Sequence, residues 1–163
     1  MIHQTLRIDY YWINIKIFFI IVDGVSSGSK GVLKFKNNIH FIKAELGLLE
    51  ARVEYENTLK KIDKFDIVLL SMGEDGHIAS LFPNHVYLEK QMVVVEQDSP
   101  KPPKERISMS YQQLNKAHYI FKLIIGESKQ KAVTLLEQNV NLPITRVNGE
   151  CEKLFFCKNT INN

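Results

Sequence analysis

A chain of 163 residues, 45% hydrophobic and 24% charged, has the size and balance of one soluble globular domain spanning residues 1–163. Its 21 Lys and Arg against 18 Asp and Glu leave a formal charge of +3, which suits an anionic ligand and is too small to point to nucleic acid. Cys151 and Cys157 have no Cys or His at zinc-site spacing around them and read as free thiols of a cytoplasmic protein, with no metal implied.

Residues 15–22 form the first continuous apolar run and end at Asp23-Gly24, the pattern of a buried strand running into a turn. The run is far shorter than the roughly 20 residues of a membrane span. A secretory leader is the alternative reading, with Arg7 before the run and Ser26 and Ser27 after it, but Asp9 sits in the would-be basic region. Residues 25–31 are rich in Ser and Gly and read as a loop. From there Ile39, Ile42, Leu46, Leu49, Val53 and Leu59 recur at three-, four- and six-residue steps, which predicts one amphipathic helix reaching Lys61.

Residues 66–71 (DIVLLS) are apolar on both faces, as a central parallel strand requires. A third strand is expected over 92–95, a stiff irregular connection over 101–104 (KPPK), and extended chain over 106–109. Ser110 with Gln113 three residues on resembles a capping box opening a short helix to Lys116. Residues 118–125 read as another buried strand closed by Gly126, residues 127–138 as a helix ended before Pro143, and 154–156 as a last strand before a frayed terminus. Such alternation predicts an α/β fold on a mainly parallel sheet, whose ligands bind outside the carboxyl ends of the strands.

The chemistry concentrates just after the central strand, in Met72-Gly73-Glu74-Asp75-Gly76-His77. Gly73 and Gly76 fall where the backbone must turn sharply and approach a ligand. Histidine ordinarily titrates near neutrality, so an imidazole at this edge is suited to take a proton from an attacking water, with Asp75 to orient it. Taken alone, these six residues fit an ordinary polar turn with an exposed histidine equally well.

The whole run FDIVLLSMGEDGHIASLFP over 65–83 resembles the signature of the 6-phosphogluconolactonase family, with Ser71 in place of a glycine and Ile78 in place of a threonine. Two later segments keep the same order. Arg106-Ile107-Ser108-Met109-Ser110 with Leu114-Asn115-Lys116-Ala117 resembles the segment whose arginine is associated with the substrate phosphate, and Gly126-Glu127-Ser128-Lys129 resembles a Gly-Glu-Glu-Lys whose lysine opens a helix near the ligand.

The resemblance implies a Rossmann-like three-layer architecture and hydrolysis of 6-phosphoglucono-δ-lactone in the pentose phosphate pathway. His77 would be the base, Asp75 its support, and Gly73, Gly76, Arg106 and Lys129 the binding groups; no cofactor, nucleic acid or membrane is implied, and a monomer or weak homo-oligomer is expected. The chain departs from the family before residue 39. The strand led by Trp12 ends in Asp23-Gly24-Val25 rather than Asp-Glu-Arg, and an earlier strand with its phosphate loop has no counterpart, as in an N-terminally truncated or eroded member or one whose start is misassigned. A non-catalytic sugar-phosphate-binding domain is therefore the rival. Glucosamine-6-phosphate deaminase is the second rival, set back because Phe82 stands where that enzyme carries a carboxylate five residues after the histidine.

Overall fold

In the computed structural model, residues 17–19, 40–88, 90–157 and 160 are described. Four parallel strands form the main sheet: β1 (Ile17–Phe19), β2 (Phe65–Ser71), β5 (Ala117–Ile124) and β6 (Cys151–Phe156), adjacent in that order. A separate antiparallel ribbon pairs β3 (Val93–Glu96) with β4 (Arg106–Met109), with Val94 opposite Ser108 and Glu96 opposite Arg106. The α-helices are α1 (Leu48–Leu59), α2 (Tyr111–Leu114) and α3 (Gln130–Glu137). The expected α/β fold on a parallel sheet is the one observed.

Right-handed crossovers between parallel strands laid side by side in chain order would carry the β2–β5 and β5–β6 connections over the same face of the sheet. The core agrees. Tyr55 and Leu59 of α1, Ala132 and Val133 of α3, and Val93, Val94 and Met109 of the ribbon pack in one cluster with Val68, Leu70, Ile120 and Ile124 of the sheet. The opposite face carries Ile67, Leu69, Phe121 and Leu123, partly covered, and Tyr119 and Phe155, exposed. No described helix packs there, so the described residues supply two of the three expected layers.

The single helix predicted up to Lys61 is two pieces, a 3-10 turn at Ala44–Leu46 and α1 from Leu48. Gly47 separates them at φ +83°, a conformation no right-handed helix contains. The break also shifts the buried stripe: Ala51, Tyr55 and Leu59 face the core, whereas Leu46, Leu49 and Val53, expected inside, are exposed. The helix expected from 127 likewise starts as a 3-10 turn, Glu127–Lys129, before α3. The strand expected over 92–95 exists one residue later and belongs to the ribbon, not the main sheet. Half of the capping box forms, the Ser110 hydroxyl accepting the Gln113 N–H at 3.2 Å. Of the readings before residue 40, only part of the 15–22 strand falls on described residues; Trp12, Asp23 and the 25–31 loop lie outside them.

Candidate active site

β2 is the sheet's central feed to the site. It ends at Ser71, and the chain then folds back on itself: Met72 bridges Ile78, and Ile78 bridges Leu81, both antiparallel. Within the turn the Gly73 N–H donates to the His77 carbonyl at 2.8 Å and the Gly76 N–H to the Gly73 carbonyl at 3.2 Å. Gly76 sits at φ +86°, and a Cβ there would meet the Leu142 side chain at 2.7 Å. Ala79 also lies in the left-handed region, at φ +51°, a strained setting for a residue with a Cβ and one that clusters at functional turns. The motif thus sits at the C-terminal edge of a parallel sheet, as the sequence predicts.

The turn brings Asp75 and His77 together. Asp75 Oδ1 accepts both the His77 backbone N–H at 3.1 Å and the ring at Nδ1, 2.5 Å away. Burial raises the Asp75 carboxyl, but the two bonds from His77 and the imidazole's charge outweigh it and hold the group down at about 2. An ionised acceptor at Nδ1 fixes the tautomer with its proton there and makes Nε2 the nitrogen able to take one. The imidazole is only 2% exposed. Gly73 backs one side of it, and the Phe82 ring lies 4.7 Å away, tilted by 41°.

Arg106, at the head of β4, reaches the same neighbourhood through Phe82. Its guanidinium lies 5.5 Å over the Phe82 ring, so Phe82 is a common neighbour of His77 and Arg106. The guanidinium also donates to the carbonyls of Lys101 (3.0 Å), Pro103 (3.1 Å) and Pro102 (3.2 Å), tying down the irregular 101–104 segment. That segment returns to the turn through Lys101, which pairs with Glu74 at 2.6 Å. Lys101 accounts for most of the lowering of the Glu74 carboxyl, and Lys129 adds to it, so the Lys129 charge also acts at the turn. Of the six residues singled out in the sequence, the four of the turn and Arg106 meet at one end of β2, and Lys129 is linked to it only through its charge on Glu74.

The residues that sequence reasoning missed are those that hold this group in place. Lys101 anchors Glu74, Ser108 Oγ accepts the Ser80 N–H at 3.1 Å, and Glu96 with Tyr87 fixes the loop after Phe82. Only Glu96 carried a signal, a carboxylate ending an apolar Val-Val-Val run. A cavity of about 400 Å³ lies elsewhere, between Tyr87, Lys90, Tyr111 and Arg146, and contains none of the six. No described helix is long and apolar enough to cross a membrane.

A parallel α/β sheet that carries a carboxylate-held imidazole on the turn beyond β2 has the arrangement of an open α/β sheet with its chemistry outside the carboxyl ends of the strands. The sequence profile of the family described as glucosamine-6-phosphate isomerases/6-phosphogluconolactonase matches residues 28–156, and the chain belongs to that family. It is similar to 6-phosphogluconolactonase 3, chloroplastic, of Arabidopsis thaliana, 35% identical over 73% of this chain and 42% of the relative. The crystal structure of 6-phosphogluconolactonase from Thermotoga maritima superposes with a TM-score of 0.67 at 29% identity, over 73% of this chain and 55% of that one. A monomeric glucosamine-6-phosphate deaminase superposes with a TM-score of 0.52 at 25% identity, over 68% of this chain and 53% of that one. The chain thus spans about half the length of the relatives it matches.

Proposed function

We propose that this chain carries the base of a lactonase site and hydrolyses 6-phosphoglucono-δ-lactone, the reaction for which its relatives are named. The observation that carries the reading is the Asp75–His77 pair on the family's own turn. Water attacks the lactone carbonyl carbon while His77 Nε2 takes its proton. The tetrahedral intermediate then expels the ring oxygen, which receives that proton and leaves as the hydroxyl of the open acid. The Gly73 and Gly76 amides are bonded within the turn and the Asp75 amide acts on its own carboxylate, so of this stretch the Glu74 amide is the candidate to face the oxyanion. Arg106 and Lys129 are the proposed anchors for the phosphate.

Phe82 separates this reading from the deaminase. It fills the place five residues after the histidine, is fully buried against His77, and has no proton to give. We take residues 1–163 as one domain acting without a cofactor in the cytoplasm, where Cys151 and Cys157 stay reduced; the Arabidopsis relative is named as chloroplastic. The test is a lactonase assay on the chain, corrected for spontaneous ring opening, beside His77→Asn. Loss of the base is expected to lower kcat by about 10²- to 10⁴-fold and to leave KM nearly unchanged. A variant that retains the wild-type kcat would exclude His77 as the base.

A further inference from the structure

Glu96 is a charged group that the proposed chemistry does not use, and it is 6% exposed. Its Oε2 accepts from the Tyr87 hydroxyl at 2.8 Å and from His85 Nδ1 at 2.7 Å, and its Oε1 accepts the Asp98 N–H at 2.8 Å. Burial raises the carboxyl, yet these three donors together keep it below its ordinary value, so it is an ionised acceptor at neutral pH. The Tyr87 hydroxyl in turn accepts the Phe82 N–H at 2.9 Å, and its oxygen lies 3.3 Å from the Ser80 carbonyl. His85 stacks on Tyr87 with ring centroids 6.3 Å apart and touches Phe82 at 5.8 Å.

We propose that Glu96 and Tyr87 are positioning residues for His77 and Arg106: the buried carboxylate fixes the Tyr87 hydroxyl, the hydroxyl fixes the Phe82 peptide, and the Phe82 ring sets both the imidazole and the guanidinium. The His77 ring then has two carboxylates behind its stance. Asp75 holds Nδ1 directly, and Glu96 acts on the ring through Tyr87 and Phe82. Side chains at a reacting centre lose rate steeply when displaced by about 1 Å, so a group three residues removed in contact still governs turnover. The Tyr87 ring also packs on Tyr111, so it keeps a seat without its hydroxyl, while the Phe82 N–H loses its acceptor and Glu96 one of its donors.

The effect on turnover rests on the His77 reading, so the test carries a measurement that does not. Tyr87→Phe removes the hydroxyl alone. The expected result is a fall in kcat of about tenfold at nearly constant KM, smaller than the 10²-fold of a full 1 Å misplacement. In parallel, imidazole nitrogen NMR should show the His77 signals shifted or split, while those of His118, held by Glu150 at a distant site, stay in place. Glu96→Gln keeps an acceptor for Tyr87 but turns its NH2 toward the Asp98 N–H, so its loss of kcat should fall between wild type and Tyr87→Phe; Glu96→Ala should behave like Tyr87→Phe. Phe82→Leu, which keeps apolar bulk without the flat ring, reads the same link should Tyr87→Phe fail to fold. Unmoved His77 signals in the folded variant overturn the proposal. Moved signals in a chain that never hydrolyses the lactone leave the positioning intact and sink the lactonase reading instead.

Discussion

The His77 imidazole occupies the space that a Cβ on Gly73 would fill. Position 73 is therefore reserved for glycine by contact with the proposed base and not by its dihedral angles. Gly73→Ala is expected to push the ring off Asp75, lowering turnover about 10²-fold. Overpacking should also cost about 1–3 kcal/mol of stability. Kinetics and thermal unfolding of the one variant check both. A fully active Gly73→Ala protein would show that the ring does not sit where the turn puts it.

Asp75 ties the site to acid stability. Its carboxyl is held at about 2 against an ordinary 3.8, so its contribution is fully present above about pH 5. That contribution is lost as the pH falls from the ordinary value through the folded one. Asp75→Asn lacks it, so the gap in Tm between wild type and variant should be widest above pH 5 and shrink between about pH 4 and 2. Turnover should fall by 10²-fold or more at neutral pH, because an amide no longer enforces the Nδ1–H tautomer. Unfolding curves across pH test the first claim and steady-state kinetics the second.

Much of this site was legible because its determinants are local. Gly73, Asp75, Gly76 and His77 lie within five residues, on a turn whose preceding strand announces itself by being apolar on both faces. Arg106 and Lys129 were found through resemblance, since a cation at a strand or helix start carries no signal of what lies across from it. Tyr87, Glu96 and Lys101 escaped because their meaning depends on the ribbon, which sets Glu96 opposite Arg106 and returns the 101–104 segment to Glu74. Periodicity failed at Gly47 for a related reason. A repeat of apolar residues was counted through a backbone break that shifts its phase, so Leu49 and Val53 face solvent and Ala51 and Tyr55 the core.

Arg106 separates charge from shape. Its fork bonds three carbonyls and stacks on Phe82, whereas a lysine brings the same charge with neither feature. Arg106→Lys is expected to raise KM for the phosphorylated lactone about tenfold, the worth of roughly one charge-assisted bond. An unchanged KM would mean that the arginine serves the 101–104 segment alone.

Lys122 gives the last expectation, one about the sheet and not the site. It points to the covered face of β5 beside Leu70 and Leu154, and its side chain is 3% exposed, paired with Glu152 at 2.8 Å. Burial lowers its affinity for a proton more than Glu152 raises it. A buried ion pair of this kind recovers little of its desolvation cost, but removing one partner strands the other. Glu152→Ala should therefore destabilise the fold by about 3 kcal/mol, whereas Lys122→Met, which fills the slot with apolar atoms, should be neutral or stabilising. The pH dependence follows from the same lowering. Between the depressed folded value and the ordinary 10.5 the unfolded chain binds more protons, so wild-type stability should rise with pH there relative to Lys122→Met. Denaturant unfolding of both variants at neutral and alkaline pH decides it, and a Lys122→Met protein as unstable as Glu152→Ala would show that the ion pair itself, and not the packing around it, holds β6 to β5.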